Sequence, residues 1–217
     1  MKNIKPIKTA RFAAKKISLF IFSLTLVLGL SFAAYAANDT DLNLTVTAGV
    51  LNIDIVDASG NSVANPAVAL SAITASTSAQ SSTGTLGTAS EKIRLSNPTV
   101  TPSWTATIAA TNGASAVWTT TGGSTMDYNS AIGGTGTLAI NPSVGTIVAA
   151  IGGNTTGVTV GTATAFGAGT GSITLYSANG TAAVNEQYDL TGVRLDQQIP
   201  GSQLTGAYTI NMTLTAI

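Results

Sequence analysis

The sequence predicts an all-β protein: an antiparallel β-sandwich of about nine or ten strands, preceded by an N-terminal signal helix. Three observations carry this reading. Beyond residue 36 the chain is rich in Thr, Ser, Gly, Ala and Val and poor in Lys, Glu and Gln, so its exposed positions hold residues that suit strands and turns rather than helices. Apolar residues recur at every second position, the period of a strand with one buried face. Turn signals such as Asn112-Gly113, Gly122-Gly123, Gly133-Gly134, Gly152-Gly153-Asn154 and Asn179-Gly180 separate these runs. The strand–helix alternation of a Rossmann or TIM architecture is absent.

The first 36 residues read as a leader. Lys2, Lys5, Lys8, Arg11, Lys15 and Lys16 precede an apolar run from Ile17 to Phe32, and Ala34-Tyr35-Ala36 stands before Ala37. A basic region, an apolar region and a small-x-small site make a secretory signal peptide. Left uncut, the same run is long enough for a single N-terminal anchor, and the positive-inside rule still places residues 38–217 outside. Either way the expected location is extracellular or cell-surface, with residues 1–36 as leader and 37–217 as one domain. Contact with a membrane is expected only through the uncut N-terminal segment.

The strands follow in order. Leu42-Asn43-Leu44-Thr45-Val46 alternates cleanly, and Val50-Leu51-Asn52-Ile53-Asp54-Ile55-Val56 resumes after Ala48-Gly49, which reads as a bulge or tight bend. The stretch 71–90 is small and polar, suiting a long loop or a low-complexity strand pair. Further strands are expected at Lys92–Leu95, Trp104–Ala109, Thr137–Ile140, Thr146–Ala150, Val158–Val160, Ser172–Tyr176 and Tyr188–Leu195. The clearest alternation is the last, Tyr208-Thr209-Ile210-Asn211-Met212-Thr213-Leu214-Thr215.

Charge and composition remove several function classes. With the leader gone, Lys92, Arg94 and Arg194 face nine acids, a net charge of −6. Such a surface repels nucleic-acid backbones and anionic lipid heads, so neither is an expected partner. There is no cysteine, hence no disulfide and no lipid-anchoring motif. There is no histidine either, which excludes Ser-His-Asp and Cys-His sites and imidazole-bound zinc. No glycine-rich loop leads into Lys-Ser or Lys-Thr, so a P-loop is absent. The remaining acids are sparse, and no catalytic residue and no organic cofactor is expected.

Calcium is the one metal the residues suggest, since oxygen ligands on loops suit it. The candidates are Asp39 and Asp41 in Asn-Asp-Thr-Asp, and Asp54 and Asp57 around Ile55-Val56. Trp104 and Trp118 are the only tryptophans. In Ser103-Trp104-Thr105-Ala106-Thr107-Ile108, Trp104 alternates with Ala106 and Ile108, as a core-facing strand residue does. Either tryptophan could instead offer a platform to a glycan or a partner, so both are candidate interaction residues. Arg194 is expected to pair with a nearby acid on its own sheet.

Two segments resemble known families. Gly84 to Ala110 (GTLGTASEKIRLSNPTVTPSWTATIAA) resembles the core of WxL-type bacterial surface domains, in which a strand and a short loop precede a Trp-led strand. Asp189 to Ile217, with Ile199-Pro200 before Gly206-Ala207-Tyr208-Thr209-Ile210, is similar to their closing strands. The first motif reads Trp104-Thr105-Ala106 and the second Met212-Thr213-Leu214, so Leu and Trp of the family pattern are replaced. That resemblance implies non-covalent attachment to a Gram-positive cell wall. The mature N-terminus, Asn38-Asp39-Thr40-Asp41 with Thr47-Ala48-Gly49-Val50-Leu51, is similar to the start of camelysin and TasA-like matrix proteins, which implies fibres built by lending a strand. The expected function is that of a non-catalytic, secreted or cell-surface structural or adhesion protein of the bacterial envelope. A fibre subunit and a carbohydrate-binding module are the alternatives. The expected partners are a cell-wall or surface glycan, or copies of the same chain.

Overall fold

The computed structural model describes residues 44–130, 136–167 and 169–217. The leader, Leu42, Asn43 and the Gly133-Gly134 turn lie outside the described residues. The compact unit spans Thr47–Ile217. It is all-β, and every strand pairing is antiparallel.

In chain order the strands are β1 (Asn52–Val56), β2 (Gln80–Leu86), β3 (Lys92–Asn97), β4 (Ser103–Ala110), β5 (Trp118–Thr119), β6 (Thr125–Met126) and β7 (Leu138–Asn141). After these come β8 (Thr146–Ala149), β9 (Val158–Val160), β10 (Thr164–Ala165), β11 (Ile173–Asn179), β12 (Glu186–Thr191), β13 (Val193–Ile199) and β14 (Met212–Ala216). They form sheets of order β1-β3-β12-β8, β10-β7-β13-β2 and β14-β4-β11-β9, with β5-β6 as a small ribbon.

The first two sheets share their chains. β12 lies in one and β13 in the other, joined by Gly192 alone. β2 runs along β13 while its continuation β3 runs along β12. On the other flank β7 pairs with β13 and β8 with β12. Three chain segments therefore turn one corner together, the middle one broken only at Gly192, the others passing through residues 87–91 and a short 3-10 helix at Pro142–Val144, and glycines stand at the turn. Gly192 donates its N–H to the carbonyl of Gly87 at 2.7 Å. Both have left-handed backbones, with φ of +78° and +79°, a conformation costing other L-residues about 1–2 kcal/mol. A Cβ on Gly87 would lie 2.8 Å from the Leu190 carbonyl oxygen, and one on Gly145 would lie 2.8 Å from that of Thr191. Bends of this kind let a strand leave one sheet for the next.

The alternation seen in the sequence supplies the core. In β3 the residues Ile93, Leu95 and Asn97 are buried and their neighbours half-buried, and in β4 Trp104, Ala106, Ile108 and Ala110 are buried. Trp104 meets Tyr176 of β11 edge-on at 5.3 Å and Tyr188 of β12 at 5.4 Å between ring centroids. One indole thus links the third sheet to the first. At Leu175 a register shift in β11 brings Ile173, Leu175 and Tyr176 all inside.

Several boundaries differ from the expected ones, each for a physical reason. Among the described residues fourteen strand segments replace nine or ten, because the chain breaks at the corner and two-residue strands escape a periodicity count. Tyr188–Leu195, expected as one strand, breaks at Gly192. The stretch 71–90 divides: residues 71–79 carry no strand and β2 fills 80–86. The final strand begins at Met212, Tyr208–Asn211 contributing only a bridge between Thr209 and Thr119. Residues 44–51 alternate but form no strand, and Leu44, Val46 and Val50 are 88%, 84% and 83% exposed. Gly49 is explained by close approach: its N–H donates to the Pro98 carbonyl at 2.8 Å, and a Cβ would stand 2.7 Å from the proline ring.

The corner makes a graded prediction. Gly192→Ala meets only ordinary van der Waals contact, Gly145 Cα lying 3.7 Å from its Cβ, so it costs only the backbone strain of about 1–2 kcal/mol. Gly87→Ala adds a clash with backbone and is expected to cost more. Urea denaturation of both variants measures this; equal costs would show that the packing of the corner is unimportant.

Candidate binding cleft

Trp118 is placed by a tight ribbon. Gly123 takes a φ of +83° between β5 and β6, and Trp118 pairs with Met126. Its ring is 9% exposed. The indole N–H donates to Gln197 Oε1 at 2.8 Å. Gln197 faces inward from β13 and is itself buried; its Nε2 donates to the carbonyls of Asp127 at 3.3 Å and Gln198 at 2.7 Å. A fully bonded buried amide therefore fixes the indole.

Two adjoining hollows share Trp118, Tyr208 and the segment Val68–Ser71. The larger, of about 1590 Å³, is open and lies among β1, β2 and β14, with Asp54, Glu91 and Arg194 in its wall. The smaller, of about 450 Å³, is walled by Trp118, Met126, Ile199, Gln203 and Tyr208, together with residues 68–73, Ala75 and Ser76, and includes no Asp, Glu, Lys or Arg. Gln203 Nε2 donates to Tyr208 Oη at 2.7 Å and to the Thr125 carbonyl at 3.0 Å. The Tyr208 hydroxyl donates onward to the Leu204 carbonyl at 2.8 Å. Volume and character match a small-ligand site: apolar and aromatic walls with a few oriented amides and hydroxyls.

The residues singled out from sequence fare differently. Trp104 is 3% exposed, which leaves it no face for a partner and corrects its candidacy as an interaction residue. Its Nε1 is buried without a hydrogen-bond partner, so its contribution is packing. Trp118 is the tryptophan that reaches a cavity wall. Asp39 and Asp41 lie outside the described residues. Asp54 accepts the N–H of Ile55 at 2.8 Å, and Asp57 closes its own turn, accepting the N–H groups of Ser59 at 2.8 Å and Asn61 at 2.9 Å. Bonds from the Asn61 backbone and side chain, then from the Ser59 and Gly60 backbone, hold the Asp57 carboxyl below its usual range. Among the described residues no group of three acids converges on one point. Arg194 pairs with Asp196 of its own strand at 2.7 Å, as expected.

Gln197, Gln203 and Tyr208 were not singled out from the sequence. Gln197 did leave a signal: in Val193-Arg194-Leu195-Asp196-Gln197 it takes an inward position of the alternation, where a polar residue must find partners. Asp189 breaks a pattern too. It is buried on β12, with Arg94 donating from Nε at 2.6 Å and from Nη2 at 2.8 Å and Lys92 at 3.3 Å. Glu186, also buried, accepts the N–H groups of Ile151, Gly153 and Gln187 at 2.8–2.9 Å and so anchors the loop after β8.

Comparison with protein-family models, curated proteins and solved structures found no match to this chain.

The ion cluster sets a pH dependence. Burial alone would raise the Asp189 carboxyl, but Arg94 and Lys92 outweigh it and the net effect is downward. A depressed carboxylate contributes stability above its unfolded value of about 3.9, and this is lost as pH falls through the lower folded value. Asp189→Asn is expected to cost about 1–3 kcal/mol at neutral pH, because it leaves the half-buried Arg94 without its carboxylate. It should also remove that part of the acid sensitivity. Urea denaturation from neutral to strongly acidic pH reads both, and an unchanged pH profile would refute the assignment.

Proposed function

We propose that the chain is an exported, non-catalytic β-sandwich of the bacterial envelope that works by adhesion. Sheet β14-β4-β11-β9 would form one layer, with the bent pair of sheets opposite. The leader and the WxL-like segments support this reading, and one observation carries it: the smaller hollow beside Trp118 and Tyr208 offers aromatic surface, amides and hydroxyls with no Asp, Glu, Lys or Arg. Such a lining holds no acid–base pair and no activated nucleophile. It suits an uncharged, hydroxyl-bearing ligand such as a surface glycan. It binds without chemistry, as an adhesin does.

Retention on isolated cell walls and on a neutral glycan array tests the reading. Trp118→Phe, which keeps an aromatic ring but shortens the indole and loses its bond to Gln197, and Tyr208→Ala are each expected to weaken retention about tenfold, a change of about 1.4 kcal/mol. Binding that ignores both substitutions would exclude the cleft as the contact.

The exposed residues Leu44, Val46 and Val50 favour a second reading, a fibre subunit that lends this segment as a strand. A folded copy leaves their apolar alternation in water, and strand addition is a known way to cover it. Electron microscopy of the purified protein is then expected to show filaments that deletion of Asn38–Ala48 abolishes. Filaments surviving the deletion would exclude lending of this segment.

A further inference from the structure

A sheet edge in water pairs with other chains unless it is short, covered or charged. Six edge strands bound the three larger sheets, and five are managed. β9 and β10 span three and two residues. Against β1, Val63 donates its N–H to the Ile55 carbonyl at 2.9 Å and Ser62 bridges Val56. Against β2, Ser71 donates its N–H to the Thr83 carbonyl at 2.7 Å. β14 lies beside β1. The sixth edge, β8, has none of these devices among the described residues.

Among the described residues β8 pairs with β12 alone. Val148 stands opposite Asp189, and the next ladder bond runs from the Ala150 N–H to the Gln187 carbonyl at 2.7 Å. Alternation in an antiparallel ladder then gives the main-chain groups of Thr146 and Val148 to β12 and turns those of Ile147 and Ala149 to the open side. Val148 is 55% exposed, and Val144 and Ile151 at either end are 57% and 61% exposed. From Ser143 to Asn154 the sequence holds no charged residue and no proline. The chain beyond residue 36 carries a net charge of −6, and none of that charge lies on this segment.

We propose that β8 is a self-association edge that pairs antiparallel with β8 of a second copy about a twofold axis. Centred on Val148, this pairing sets Ile147 against Ala149 of the other copy twice and makes four backbone hydrogen bonds, with the two Val148 side chains adjacent. The two four-stranded β1-β3-β12-β8 sheets become one continuous sheet. An antiparallel edge is complementary to itself, so the twofold needs no second surface. The interface uses neither the Trp118 cleft nor residues 44–50, and stands independently of both functional readings.

Sedimentation velocity of the exported protein across a wide concentration range tests it. Val148→Lys sets like charge against like across the axis. Ala149→Pro removes an N–H that faces solvent in a single copy and leaves the β12 ladder intact. The native protein is expected to form dimers that dissociate on dilution, and each variant to dimerise at least about tenfold more weakly with an unchanged melting temperature in the dilute monomer. If Ala149→Pro does not fold, Val148→Lys decides alone, because its side chain is exposed. A monomer at every concentration would overturn the proposal, as would dimers of native strength in Val148→Lys.

Discussion

Three glycines side by side carry the architecture. Gly87, Gly192 and Gly145 let three neighbouring chain segments turn at the same level, so that each supplies a strand to two sheets. Without the bend, Leu86, Val193 and Leu195 on one side and Ile93, Tyr188 and Leu190 on the other could not face a shared core. The cost is conformational: a left-handed backbone at Gly87 and Gly192, and at Gly87 and Gly145 backbone oxygens too near to admit a Cβ. The corner also sets the register of β13. It thereby brings Gln197 beneath Trp118 and shapes the cleft.

Polar groups inside this fold are few and bonded. Gln197, Glu186, Asn97 and Asp189 are buried, and each meets partners that fix a neighbouring element: the β5 indole, the loop after β8, the turn at Thr99–Thr101, and the β3–β12 ladder. The exception is Trp104, whose N–H has no partner. Its ring packs against two tyrosines, edge-on to Tyr176 and tilted to Tyr188. Packing across the layers outweighs one unsatisfied donor there, which would cost about 1–3 kcal/mol.

Much of this was legible in the sequence, and the reason is periodicity. The β3 and β4 segments, β9 and the closing strand declare themselves by alternation, and Trp104 sits on the buried face that Ala106 and Ile108 define. What escaped was non-local. Alternation at residues 44–50 looks like a strand, yet a strand needs a neighbour, and a single sequence does not name one. Gly192 reads as an ordinary residue in a strand until Gly87 and Gly145 are beside it. The cleft was half-visible: Trp118 was a candidate, but Gln197, Gln203 and Tyr208 come from other segments and converge only in three dimensions. Asp57 followed local chemistry, its acid spent on its own turn. The pairing of Arg194 was legible because its acid lies two residues away on the same strand.

The proposed envelope role joins a reading of the leader to a cleft without charged groups, and it requires the folded domain to reach the outside of the cell. Fractionation of the producing cells with intact-mass analysis tests that requirement most directly. The account predicts a mature protein beginning at Ala37 in the envelope fraction. A chain retaining residues 1–36 and recovered from the soluble interior of the cell would contradict it.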